Sequence, residues 1–217
     1  MTKVAVVLAG CGVFDGGEIH ESTLTLLALD QAGVEYQCLA PDIKQMHVIN
    51  HLTGQEMDEQ RNVLVESARI ARGKVMDIAK ADPRDYDAVI VPGGFGVAKN
   101  LCDFAVKGAD MSVNEDVRAF IRAVHDAGRP VGLACIAPVM SERLFGKGVV
   151  CTIGHDAATA SAIESMGGRH QGCDVDGIVV DKANRLVTTP AYMLAERISE
   201  VATGINKMVK AVLEMTR

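Results

Sequence analysis

Val4-Ala5-Val6-Val7-Leu8-Ala9 is a run of six apolar residues without a polar interruption, and it closes on Gly10. Two more runs of the same kind follow, Ala88–Val91 before Pro92-Gly93-Gly94 and Val131–Ala134 before Cys135. A strand with one wet face alternates apolar and polar residues, so uninterrupted runs this short describe strands covered on both faces. Between them lie stretches at helical spacing. Glu21–Ala32 is Leu-rich and stopped by Gly33; Val117, Phe120, Ile121 and Val124 follow a Ser112/Glu115 capping box and precede Gly128. Glu35–Ala40 is a further strand, Ala157–Met166 a helix, Ile178–Val180 and Leu186–Thr188 a hairpin turning near Asn184, and Ile198 to Val212 a terminal helix. Strands alternating with helices predict an α/β fold of the flavodoxin-like kind, a mostly parallel sheet sandwiched by helices.

The chain has 217 residues, enough for one domain with a full core, and we read 1–217 as that single domain. The stretch from about 45 to 80 breaks the rhythm. It reads as a small insertion at one edge of the sheet, with a hairpin from His47–Asn50 to the run after Thr53-Gly54 and a helix over Val63–Ala79. Twenty-eight acidic against 22 basic residues leave a net charge of −6 with no basic cluster, which argues against a nucleic-acid or anionic-membrane partner. No segment is long and apolar enough to span a bilayer, and Leu8-Ala9-Gly10-Cys11 follows too short an apolar run to be a lipoprotein cleavage site. Six scattered cysteines without a CxxC pair read as free thiols in a reducing cytoplasm.

In an open parallel sheet, ligands gather where the strands end at their carboxyl side. Three strand ends carry suggestive chemistry. The first leads through Gly10-Cys11-Gly12 to Glu18 and Glu21, the second ends in Pro92-Gly93-Gly94-Phe95-Gly96, and the third in Cys135. Small neighbours (Gly132, Ala134, Ala137) let the backbone turn sharply at Cys135 into a helix-like stretch, as at a nucleophile elbow. A helix N-terminus there favours thiolate, the reactive form. The amides of Gly94 and Ile136 are then candidate oxyanion donors. Each piece alone has an ordinary explanation: a buried small hydrophobe, a turn, a helix cap. Their occurrence at three strand ends makes the functional reading the stronger one. Two others are weak. Gly10-Cys11-Gly12-Val13-Phe14-Asp15 opens like a dinucleotide fingerprint, but Asp15 would repel a pyrophosphate. The pairs His47/His51 and Cys151/His155 lack partners in sequence to complete a metal site.

Taken together, these passages resemble the PfpI/ThiJ superfamily, which shares its fold with the class I glutamine amidotransferases. The match includes Cys151-Thr152-Ile153-Gly154 and Val187-Thr188-Thr189-Pro190-Ala191-Tyr192-Met193, and it spans essentially the whole chain. It looks closest to the ElbB branch of glyoxalase-like proteins linked by name to isoprenoid biosynthesis. The resemblance implies that Cys135 is the nucleophile and Glu21 its carboxylate partner, with Glu18, three residues upstream, the competing assignment. It implies Gly94 and Ile136 as oxyanion donors and a homodimer. The protease-like members have His after the cysteine; here that position is Ile136, which argues against peptide hydrolysis. His155 is a possible proton shuttle, though a surface position is the simpler reading. The implied activity is a glutathione-independent glyoxalase, with neither metal nor organic cofactor, turning small 2-oxoaldehydes such as glyoxal into 2-hydroxy acids. The alternative is a cysteine-based redox sensor or a small-molecule-binding protein with little turnover.

Overall fold

A computed structural model describes residues 2–216. A seven-stranded sheet forms its centre, built from β1 (Lys3–Val7), β2 (Glu35–Ala40), β3 (Val75–Asp77), β4 (Ala88–Val91), β5 (Val131–Ala134), β8 (Val179–Asp181) and β9 (Leu186–Thr189). The order is β3-β2-β1-β4-β5-β9-β8, parallel except where β8 runs antiparallel to β9. Two short strands, β6 (Val150–Cys151) and β7 (Arg169–His170), make a separate parallel pair.

The apolar runs are explained by two cores, one on each face of the sheet. Val4, Val6 and Leu8 of the first run face a core shared with α1 (Ile19–Gln31) and α7 (Ile198–Met215). Ala5, Val7 and Ala9 face the opposite core, where α4 (Glu115–Asp126) contributes Val117, Phe120, Ile121 and Val124. Successive strand residues point to opposite faces, so a strand wedged between two cores has no polar position to spare.

Three local expectations need correction. The helix anticipated over Val63–Ala79 stops early: α2 covers Val63–Ile70, and after Arg72 and Gly73, both at positive φ, the chain re-enters the sheet as β3. Part of the 45–80 segment is therefore an edge strand, paired with β2 through Cys38, Leu39 and Ala40. Its three residues are too few, and too half-buried, to show a period. The hairpin does form, closed by an Ile49–Glu56 bridge. The α4 cap is Asn114, whose side chain accepts from the amides of Asp116 and Val117, while Ser112 is held by Asp103 instead. Finally, α1 covers Ile19–Gln31 rather than Glu21–Ala32, with Glu18 as its N-cap.

Candidate active site

β1, β4 and β5 lie side by side, so the three chemistry-bearing strand ends meet at one edge of the sheet. Cys135 follows β5 directly. Its backbone has φ +58°, the left-handed region that L side chains adopt at a cost of roughly 1–2 kcal/mol. Its amide donates to Thr189 O at 3.0 Å, tying the elbow to β9. The side chain is 7 % exposed.

Glu21, on the first turn of α1, is fully buried beside it. The carboxylate accepts from the amide of Gly93 at 2.8 Å and from that of Tyr192 at 3.1 Å, and the Cys135 thiol stands beside it against Gly93. Burial, with the nearby Glu18 charge adding to it, pushes the Glu21 carboxyl up to about 7 against the backbone donors that hold it down. Burial and the negative Glu21 likewise push the Cys135 thiol well above its ordinary value, while the amides of Gly94 and Ile136, both aimed at the sulfur, pull the other way. A helical stretch does follow Cys135, a tight turn over Ala137–Met140 that continues into the helix Ser141–Phe145, but desolvation of the buried thiol prevails over its dipole. Two acids thus meet in a buried site, and the charge of Glu21 strengthens the thiol's hold on its proton.

The glycines at the end of β4 make that meeting possible. A methyl on Gly93 would stand 2.2 Å from Cys135 Cβ and 2.5 Å from Glu21 Oε2. Gly94 has φ +100°, and a methyl there would run into Glu18 N and Gly16 O at 2.4 Å each. No side chain fits either position.

Glu18 does different work. Its Oε2 accepts from Glu21 N at 2.6 Å, capping α1, and its amide donates to Gly93 O at 2.9 Å. Glu21 rather than Glu18 therefore meets the thiol. His155 stands apart: its ring is exposed, 3.7 Å from Asp174, and does not line the cavity.

Above Cys135 opens a cavity of about 790 Å³. Several of its features escaped the sequence reading. Tyr192, from the residues after β9, supplies an amide to Glu21 and pairs its hydroxyl with His20 Nδ1 at 2.7 Å. Its place within the Thr-Thr-Pro-Ala-Tyr passage was the available signal. Lys99 comes from a π-helical turn over Val97–Leu101, a geometry that leaves no trace in composition. The 45–80 segment reaches the cavity with Ile49 and Gly54. It is fastened by Asp15, whose buried carboxylate accepts from Ile49 N at 2.6 Å, and by Asn100, which accepts from Met46 N at 2.9 Å. Asp15, which the sequence reading took as an obstacle to a pyrophosphate, thus anchors a loop. His51 is committed likewise, its ring facing Phe14 N at 3.2 Å. Among the described residues, no group of three or more His, Cys, Asp or Glu is arranged to hold a metal.

This geometry has close relatives. Glutamine amidotransferase-like class 1 domain-containing protein 3, mitochondrial, from Homo sapiens is 48% identical over 99% of this chain and 83% of its own length. The chain belongs to this glutamine amidotransferase-like class 1 family. A crystal structure of an isoprenoid biosynthesis protein with an amidotransferase-like domain from Ehrlichia chaffeensis matches the family fold here with a TM-score of 0.93, at 36% identity over the whole of both chains. Glyoxalase III from Candida albicans superposes with a TM-score of 0.62 at 17% identity over 99% of this chain and 97% of that one, a likeness of fold alone. No protein-family model matches the chain.

The family relationship corrects one expectation. The human relative is named mitochondrial, as are the ES1 relatives from Rattus norvegicus and Danio rerio, which conflicts with the cytoplasmic placement. All six cysteines are indeed free. Unpaired thiols, however, carry no address within the cell. As to membranes, among the described residues no helix is long and apolar enough to cross one.

Proposed function

We propose that the chain converts 2-oxoaldehydes, glyoxal among them, to 2-hydroxy acids without glutathione, metal or organic cofactor. The observation that carries this reading is the buried Glu21–Cys135 pair facing a cavity, with the Gly94 and Ile136 amides beside the sulfur.

Glu21 takes the thiol proton as the sulfur adds to the aldehyde carbon. The resulting oxyanion receives the Gly94 and Ile136 amides, contacts of a kind that lower such barriers by about 3 kcal/mol each. Protonation gives a hemithioacetal. Glu21 then removes the hydrogen on the former aldehyde carbon and returns a proton to the neighbouring carbonyl carbon, while the hydroxyl proton of the first carbon passes to the oxygen of the second, so the first carbon is oxidised and the second reduced. The product is a thioester of the 2-hydroxy acid, which water cleaves, restoring the thiol. For glyoxal the sum is glyoxal plus water to glycolate, with no outside oxidant. A carboxyl held near 7 suits a group that must both take and give a proton at neutral pH.

A peroxide-sensing cysteine is the less supported reading, because such a role asks for an exposed thiolate of lowered pKa and Cys135 is buried with its thiol pushed up. The family resemblance also leads us to read the chain as a homodimer, which a solution molar mass twice that of the chain would bear out. The deciding experiment is glyoxal conversion to glycolate without glutathione or metal, wild type against Cys135→Ser. Turnover in the wild type that Cys135→Ser abolishes supports the proposal; equal rates, or none in either protein, refute it.

A further inference from the structure

The cavity is far larger than glyoxal needs. Four heavy atoms at about 30 Å³ each, the share of one water in the liquid, fill roughly 120 Å³. The cavity of about 790 Å³ lies in the range of pockets for much larger ligands. Its depth is graded. Cys135 lies at the floor, 7 % exposed, while Phe14 and Phe95 stand at the mouth, 39 % and 50 % exposed. Exposed aromatic rings around a cavity are costly unless something apolar covers them in use.

Lys99 is the one cation that lines this space among the described residues. Its Nζ donates to Phe14 O at 2.8 Å and stands 5.8 Å from the centre of the Phe95 ring, which leaves two of its three N–H donors uncommitted to protein. Lys99 has no carboxylate within 4.0 Å among the described residues, a state it shares with other lysines of the chain but which it alone combines with a place in the cavity wall. Asp15 and Glu56 act on it only at longer range, and its partial burial weakens its hold on the proton. The two carboxylates that line the cavity are already engaged. Glu18 Oε2 faces the start of α1, and Asp156 Oδ2 accepts from Thr159 N at 2.8 Å at the start of α6 (Ala157–Met166).

Resting on the glyoxalase reading, we infer that the preferred substrate is a 2-oxoaldehyde with an aryl-sized apolar body that ends in a carboxylate paired with Lys99. The aldehyde reaches Cys135, the body covers the rings of Phe14 and Phe95, and the anion answers the unpaired ammonium. The reaction is unchanged: water is added, one carbon is oxidised and its neighbour reduced.

Three aldehydes separate the possibilities: glyoxal, phenylglyoxal and para-carboxyphenylglyoxal. The wild type should favour the carboxylated compound over phenylglyoxal in kcat/KM by about tenfold, the scale of one partly desolvated charge pair. That preference should fall towards one in Lys99→Gln and return in Lys99→Arg. A wild-type ratio near one overturns the inference while leaving the glyoxalase reading untouched. Binding supplies the second arm, with para-acetylbenzoate titrated calorimetrically into Cys135→Ser. Binding that Lys99→Gln abolishes upholds the anion site even if no aldehyde is turned over, in which case the catalytic reading alone falls. Binding that is absent, or indifferent to Lys99→Gln, removes the anion site whatever the turnover.

Discussion

The carboxyl of Glu21 and the thiol of Cys135 meet across Gly93, a backbone position with no room for a single methyl group. Gly93→Ala is therefore expected to separate the pair. Overpacking of this kind costs about 1–3 kcal/mol. The variant should fold with a lowered Tm and lose glyoxal turnover by far more than the stability change explains. Thermal unfolding alongside kcat/KM reads both, and an alanine variant of wild-type activity would show that the contact is dispensable.

Glu21→Gln tests the carboxyl itself. Both Glu21 oxygens accept backbone amides, so the glutamine NH2 must turn one of those donors away. A buried donor left without a partner costs about 1–3 kcal/mol, and proton transfer is lost altogether. The expected outcome is a folded protein of reduced Tm with turnover down at least a hundredfold, the scale of one general acid–base group. Full activity would remove Glu21 from the mechanism.

The pH dependence of stability has a definite sign. Glu21 has an ordinary value of 4.5 and rises to about 7 when folded, so between those values the native chain binds more protons than the unfolded one. Stability is then complete below about pH 4.5 and declines as pH rises through about 7, by up to about 3 kcal/mol for this group. Urea unfolding of the wild type from pH 5 to pH 8 should show the decline, and Glu21→Gln should flatten it. Over the same interval kcat/KM should climb as the carboxylate forms. A stability that rises with pH, with no difference between the two proteins, would contradict this assignment.

Asp15→Ala addresses the cavity wall. Losing the 2.6 Å contact orphans the Ile49 amide and frees the hairpin closed by Ile49 and Glu56. Amide exchange over positions 47–57 should quicken by at least tenfold, while β1 and β4 stay protected. Unchanged exchange in the hairpin would mean that Asn100 and His51 suffice to hold it.

The sheet was legible because its central strands are buried on both faces, which leaves apolar runs too short for a helix and closed by Gly or Pro, or at β5 by the Cys135 turn. Cys135, Gly94 and Ile136 were legible as a group because parallel order forces neighbouring strand ends together, whereas the preference for Glu21 over Glu18 came from the family resemblance. What stayed hidden depended on contacts between distant segments. The three-residue β3 is recognisable only from its pairing with β2. Lys99 reaches the cavity through a π-helical turn, and the thiol's high pKa follows from burial that no local motif encodes. The dipole argument failed at Cys135 because burial and the neighbouring Glu21 charge outweigh the helical stretch that begins at Ala137.

Residue 135 has a backbone shape that glycine would occupy at ease. Selection for heat resistance alone should drive this position towards glycine, whereas selection for chemistry keeps a sulfur there. In a pooled library scored for both traits, position 135 would be pulled in opposite directions, and the gap between the two scores would measure what the cysteine is worth to the cell.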